Sequence, residues 1–221
     1  MNLTDNLLGE GWYWVAWAIW VPLFARCIWR APWKRLGDSE QLNVWLGMVV
    51  LLTLVWSLKA GVKPGLALHL VGATVFTLSF GPALAFIGLC VVTAGVTLNG
   101  AAGYFAYAAN ALLLAGAGVA ISQALYRLIC RLLPANFFIY IFINAFLGAA
   151  LTIQGLGLLV TMLLAVAGAY SWEYLFAEYF PYFLLLGFSE AWLSGMLMTL
   201  FVVYRPQWVA TFDDERYLTD K

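Results

Sequence analysis

Charge is scarce in this 221-residue sequence: only 10% of its residues are Asp, Glu, Lys or Arg, against about a quarter in a soluble domain. The formal net charge is zero, which gives no hint of a nucleic-acid partner, and none is expected. Histidine is reduced to one, His69, so no paired-histidine metal motif exists. GxSxG, HExxH, a nucleotide-binding loop and an apolar-segment Asp pair are all missing, so the chain is not read as an enzyme and any ATPase must be another chain. Cys27, Cys90 and Cys130 stand singly with no CxxC pair and read as small buried hydrophobes. Met1-Asn-Leu-Thr-Asp-Asn6 lacks the basic n-region of a cleaved signal, so Met1 is expected to remain.

Apolar residues dominate instead: 64% of the chain is hydrophobic and the mean hydropathy is +0.89. That much apolar surface requires lipid as solvent, and the fold class is an all-α polytopic membrane bundle. A bilayer core of about 30 Å takes roughly 20 helical residues per crossing. About seven spans result, near 11–30, 42–58, 65–80, 82–98, 104–126, 136–168 and 180–203. Gly81-Pro82 is a breaker pair suited to a tight helical hairpin. Gln154-Gly155-Leu156-Gly157 could kink or split the long sixth segment. Seven spans with the N-terminus outside place Arg26, Arg30, Lys34, Arg35, Arg127, Arg131, Arg205, Arg216 and Lys221 on one face, against Lys59 and Lys63 opposite. Splitting the sixth segment destroys this asymmetry, so the positive-inside rule favours a single crossing there, N-terminus out and C-terminus in. Trp12, Tyr13, Trp14, Trp29, Trp33, Tyr170, Trp172 and Tyr174 mark an interfacial aromatic belt. Residues 1–205 form one transmembrane domain, and the charged segment 206–221 reads as a solvated cytoplasmic tail.

Ionisable groups at membrane depth are costly and mark sites or buried hydrogen bonds. His69 and Glu190 stand out. If 65–80 is helical, Gly65, Gly72 and Ala73 share the face of His69 and turn the imidazole inward, about 6 Å from the outer end of the span. It is then either a ligand or a structural histidine bonded to a backbone carbonyl. Glu190, with Gly187 and Ser194 on its face, lies about 15 Å deep by the same measure, as a site carboxylate or a protonated helix-to-helix hydrogen bond. Asn110 and Asn144 read as interhelical hydrogen-bonding groups.

Four stretches resemble the CbiM/NikM-type permeases, the substrate-specific subunits of energy-coupling-factor transporters for cobalt and nickel. Met1-Asn-Leu-Thr-Asp-Asn-Leu-Leu8 is similar to that family's opening Met-His-Ile-Pro-Asp-Gly-Phe-Leu, keeping Met1, Asp5 and Leu8 in register. His69-Leu-Val-Gly72 with Phe80-Gly-Pro82, Ala108-Ala-Asn110-Ala-Leu112 and Gly187-Phe-Ser-Glu190-Ala191 resemble its later motifs in the same order. The resemblance implies that the N-terminal segment folds back into the bundle and that a transition-metal cation, cobalt or nickel and in geometry also copper, is held by nitrogen donors. It assigns the Met1 amine, the Asn2 backbone nitrogen and the His69 imidazole as ligands, with Asp5, Asn110 and Glu190 as further pocket candidates. Asn2 stands where the family has histidine, and a side-chain amide is a poor nitrogen donor for these metals.

The implied function is substrate binding in a metal-uptake permease of the ABC type, without a prosthetic group, partnered by a transmembrane coupling subunit and cytoplasmic ATPases in a bacterial inner membrane. A membrane accessory or assembly protein that keeps this fold without transporting metal is the alternative, which the loss of the second-position histidine favours. An intramembrane enzyme is a distant third, since His69 and Glu190 differ in depth by about 9 Å on the helical reading.

Overall fold

A computed structural model describes residues 1–58, 61 and 63–218; Lys59 and Lys221, counted in the charge partition, lie outside them. Among the described residues the regular elements are all helices. α1 is Glu10–Arg30, α2 Ser39–Ser57, α3 Ala73–Leu98, α4 Tyr107–Leu132, α5 Phe137–Val166, α6 Trp172–Glu178, α7 Tyr182–Tyr204 and α8 Asp214–Leu218. Short 3-10 turns occupy Trp33–Gly37 and Pro206–Trp208. Of these helices α2, α3, α4, α5 and α7 are long and apolar enough to cross a membrane, and the chain is a multi-pass membrane protein. The equally long α1 is less apolar, carrying Glu10, Arg26, Arg30 and a run of tryptophans. Asp38, Asn136 and Ser171 cap α2, α5 and α6, each accepting from a backbone N–H in the first turn.

The central element is α3, buried over most of its length. It is not one straight rod. Gly81, at φ 78° and ψ 167°, reverses the chain, a backbone state open to glycine alone at low cost, and Pro82 starts the returning arm with its φ already helical. Phe76 therefore lies against Gly88, where a Cβ would meet the ring; in a straight helix these residues would be about 18 Å apart. Trp45 donates to Leu84 O at 3.2 Å and Trp56 to Val71 O at 3.3 Å, while Gly95 packs on Thr53. The arm 73–80 thus runs antiparallel to α2 and the arm 82–98 returns alongside it.

One span expected from the sequence needs correction. Residues 65–72 are not helical: Gly65 and Gly72 take φ of 74° and 68°, and the stretch between them is extended. The apolar run had the length of a span, but only 73–80 is helix. The sixth segment, where charge asymmetry favoured a single crossing over a split at 154–157, is one continuous α5; Gly155 makes room for Ile121 and Gly157 for the Phe183 ring. The irregularity in α5 is a π-helical stretch at Tyr140–Leu147, and α4 has its counterpart at Ala111–Ala117.

The segment after α7 is also not a free tail. Val209, Phe212 and Tyr217 are buried, Ala210 N donates to Ser79 O and Thr211 N to Leu78 O, and Tyr140 Oη meets Thr211 Oγ1 at 2.6 Å. Those three apolar side chains close the end of the bundle where α3 reverses, so the charged residues around them are displayed on a docked segment. The 31–38 connection sits at this end too, with Arg35 and Gln41 donating to Gln207 O. The opposite end collects residues 1–9, 63–72 and 99–106.

Candidate functional site

The site is built by the N-terminal segment entering the helical body. Met1, Asn2 and Leu3 are buried, and an extended peptide buried this way must have its backbone polar groups satisfied. Asn110, on α4 one residue before the π-helical stretch, supplies both partners for Leu3: its Oδ1 accepts from Leu3 N at 2.7 Å and its Nδ2 donates to Leu3 O at 3.0 Å. Gly103 N donates to the same Leu3 carbonyl at 3.0 Å. Asp5 accepts from Ala106 N at 2.8 Å and Tyr104 N at 3.1 Å, and its carboxylate occupies the space that a Cβ on Gly103 would need. Tyr13 closes the turn back into α1, donating to Thr4 O at 2.7 Å and accepting from Leu8 N at 3.0 Å. On the other side Leu3 and Leu7 pack over Gly65.

This clamp delivers Asn2 to His69. Asn2 and His69 are each 4% exposed, and the Asn2 side-chain oxygen lies 3.0 Å from His69 Nε2. The other ring nitrogen, Nδ1, is 3.1 Å from Leu70 O. A neutral imidazole carries one N–H. With Nδ1–H donating to Leu70 O, Nε2 is an acceptor, which the Asn2 amide satisfies when turned to present Nδ2. The two amide orientations differ only in which atom is called nitrogen. The turn also gives Nδ2, otherwise without a partner, a bond. The Trp56 indole lies 4.8 Å from the imidazole between ring centres and is held by its bond to Val71 O. His69 is thus fixed by its own extended strand, an indole and the N-terminal segment, with Nε2 aimed at residue 2.

Glu190, 2% exposed, reaches from α7 to the same strand. Its Oε1 accepts from Val71 N and from Gly72 N, the latter at 2.9 Å. These amides lie just before Ala73, where α3 begins, so the carboxylate meets the donor-rich end of the arm 73–80. The depth difference assigned to His69 and Glu190 on the helical reading disappears, because the carboxylate is bonded two residues from the histidine. Gly72 is required twice over, for its positive φ and because a Cβ would meet Leu52.

The structure therefore brings Asn2 and His69 into direct contact and holds Asp5 and Asn110 on the backbone that positions them. Asn110 binds the N-terminal segment rather than another helix, and Glu190 pins the histidine strand. Asn144 sits elsewhere, in the π-helical part of α5, its Oδ1 buried without a partner. Among the described residues no three His, Cys, Asp or Glu side chains come together at metal-binding distance. A metal here would need nitrogen donors from the N-terminal backbone. Trp56 and Gly103 were not singled out in the sequence; their roles are contacts to residues distant along the chain, which local spacing does not encode. Tyr13 was read only as a belt residue, not as the partner of Thr4 and Leu8.

Two solved structures share this architecture. A crystal structure described as a truncated transition metal transporter superposes with a TM-score of 0.78 at 19% identity, covering 92% of this chain and 99% of that one. A second, described as a transition metal transporter, gives 0.75 at 20% identity, covering 90% and 91%. At these identities they establish a common fold. No curated protein matches the sequence. The family model for the cobalt uptake substrate-specific transmembrane region, CbiM, matches residues 2–208. That match takes in the N-terminal clamp, the His69 strand, both arms of α3 and Glu190, and the chain belongs to the CbiM family.

Proposed function

We propose that this protein is the substrate-binding permease subunit of a transition-metal uptake system of the energy-coupling-factor type, with cobalt or nickel as cargo. The observation that carries this reading is the buried contact between Asn2 and His69 Nε2 at 3.0 Å. It places the only imidazole of the chain against the first residues. The Met1 amine, the Asn2 backbone nitrogen and His69 Nε2 form a nitrogen-rich donor set of the kind that suits Ni(II) or Cu(II), with Co(II) as a related cargo. Capture displaces the Asn2 side chain from Nε2 of the neutral imidazole, and the protons it releases come from the Met1 ammonium and the Asn2 backbone N–H, so it weakens as pH falls.

Seven crossings, the N-terminus outside and the C-terminus in a bacterial cytoplasm, complete the reading. The clustering of Arg35, Gln207 and the α3 reversal at one end, opposite the N-terminal clamp, supports it, since arginine-rich ends face the cytoplasm. Movement of the bound metal then depends on a separate transmembrane coupling subunit and cytoplasmic ATPases.

Equilibrium binding of Ni(II) and Co(II) to the purified protein, beside His69→Ala and a form extended by one residue before Met1, tests the proposal. Both changes should lower affinity at least 100-fold. Equal binding by all three defeats it. One observation favours the second reading, an accessory protein that keeps the fold without metal transport: Asn2 already satisfies His69 Nε2. Absence of any Ni(II) or Co(II) binding by the wild-type chain at micromolar concentration, with the fold intact, decides for that reading.

A further inference from the structure

A groove of about 720 Å³ lies at the opposite end of the bundle from His69, between α1, the returning arm of α3 and α4. Its floor is made of side chains too short to fill it. Gly116, Ala120 and Ala124 recur every four residues on α4, and Ala83 faces them. Its rim carries three guanidinium groups: Arg26 and Arg30, four apart on one face of α1, and Arg127 on α4. All three are exposed, and none makes an ion pair, the single salt bridge among the described residues being Arg205 with Glu40. No Asp or Glu lines the groove. Trp29, beside Arg30, is 92% exposed and places this level at the membrane interface, where exposed indoles settle.

We infer that this groove binds an anionic phospholipid, its phosphate held by Arg26, Arg30 and Arg127 and its acyl chains lying along the Gly116–Ala120–Ala124 floor. Three unpaired like charges crowded at headgroup level call for an anion, and an apolar trough running from that level into the hydrocarbon region suits a chain attached to it. Guanidinium forks bind phosphate oxygens in pairs. A partner helix could also pack on small residues, but it would have to bring acidic side chains to answer three arginines. The inference does not depend on the metal reading, since the groove shares no residue with the His69 site.

The test is native mass spectrometry of the full-length protein released from bilayers of equal phosphatidylglycerol and phosphatidylcholine. The wild type should retain phosphatidylglycerol over phosphatidylcholine by tenfold or more. Each Arg→Gln change at these exposed positions should lower retention about fivefold, and R26Q/R30Q/R127Q should lose the preference. Ala120→Phe fills the floor without touching charge and should also reduce retention, while Ni(II) binding stays as in the wild type in every variant. Equal retention of both lipids by the wild type needs no variant to fold and overturns the inference; so does an undiminished preference in the triple variant. Phosphatidylglycerol retention unaffected by Ala120→Phe, with loss of a co-expressed membrane partner, would show the groove to be a protein-docking face and overturn it as well.

Discussion

Replacing Asn110 by leucine, its apolar near-isostere, should release the N-terminal segment while leaving the helical bundle in place. The carboxamide makes two bonds to one residue, Leu3, at 2.7 and 3.0 Å. The Leu3 carbonyl keeps the Gly103 N–H at 3.0 Å, but the Leu3 N–H is left buried with no partner. An orphaned buried donor costs about 1–3 kcal/mol and the second bond about 1, so docking should weaken by roughly 2–4 kcal/mol. At 1.4 kcal/mol per factor of ten, the opening equilibrium of the segment rises by a factor of roughly 30 to 700. Amide hydrogen exchange followed by mass spectrometry reads this directly. The peptide covering residues 2–8 should lose protection by that factor, while peptides from α3 and α5 keep theirs. Metal affinity should fall in proportion to the fraction of molecules left docked, because only the docked segment supplies ligands. Unchanged protection at 2–8 would refute the clamp as the reason the segment is held.

Three further outcomes follow from the same contacts. Gly103→Ala drives a Cβ into the Asp5 carboxylate and should expose residues 2–8 to exchange at least as strongly as the Asn110 change, with α7 unaffected. Glu190→Leu strands the Val71 and Gly72 amides and should lower unfolding free energy in detergent by about 2–5 kcal/mol, whereas Glu190→Gln, which keeps an acceptor oxygen, should recover more than half of that loss. Arg205→Ala removes a 3.9 Å ion pair whose side chains are 57% and 44% exposed, and thermal unfolding should show a change under about 1 kcal/mol.

Much of the fold was legible because lipid imposes simple rules: scarce charge, long apolar runs and the Gly81-Pro82 break were enough to read a helical membrane protein with a reversal inside α3. The failures have a common cause. The run 65–80 is apolar enough to be read as a span, yet the glycines at 65 and 72 take positive φ, and the stretch between them is held by Glu190 and Trp56, partners that no local pattern reveals. At 155 and 157 the glycines left a bend or split open, which charge asymmetry argued against, and they make room for Ile121 and Phe183 in a continuous helix. His69 was conspicuous as the only histidine. Its neighbour Asn2 lies 67 residues away in the chain, and spacing is silent on such contacts; the family resemblance pointed to the N-terminus, and the contact is now explicit. Asn110 was legible as a buried polar group, but its partner was mistaken, since backbone recognition of an extended segment leaves no periodic trace.

The most direct test of the central claim is X-ray absorption spectroscopy of the Ni(II)-loaded protein, because a chain with one histidine can give one imidazole signature or none. The account predicts a nitrogen-dominated first shell with the scattering of a single imidazole, which disappears in His69→Ala. A shell of oxygen ligands without imidazole scattering in the wild-type protein would contradict it.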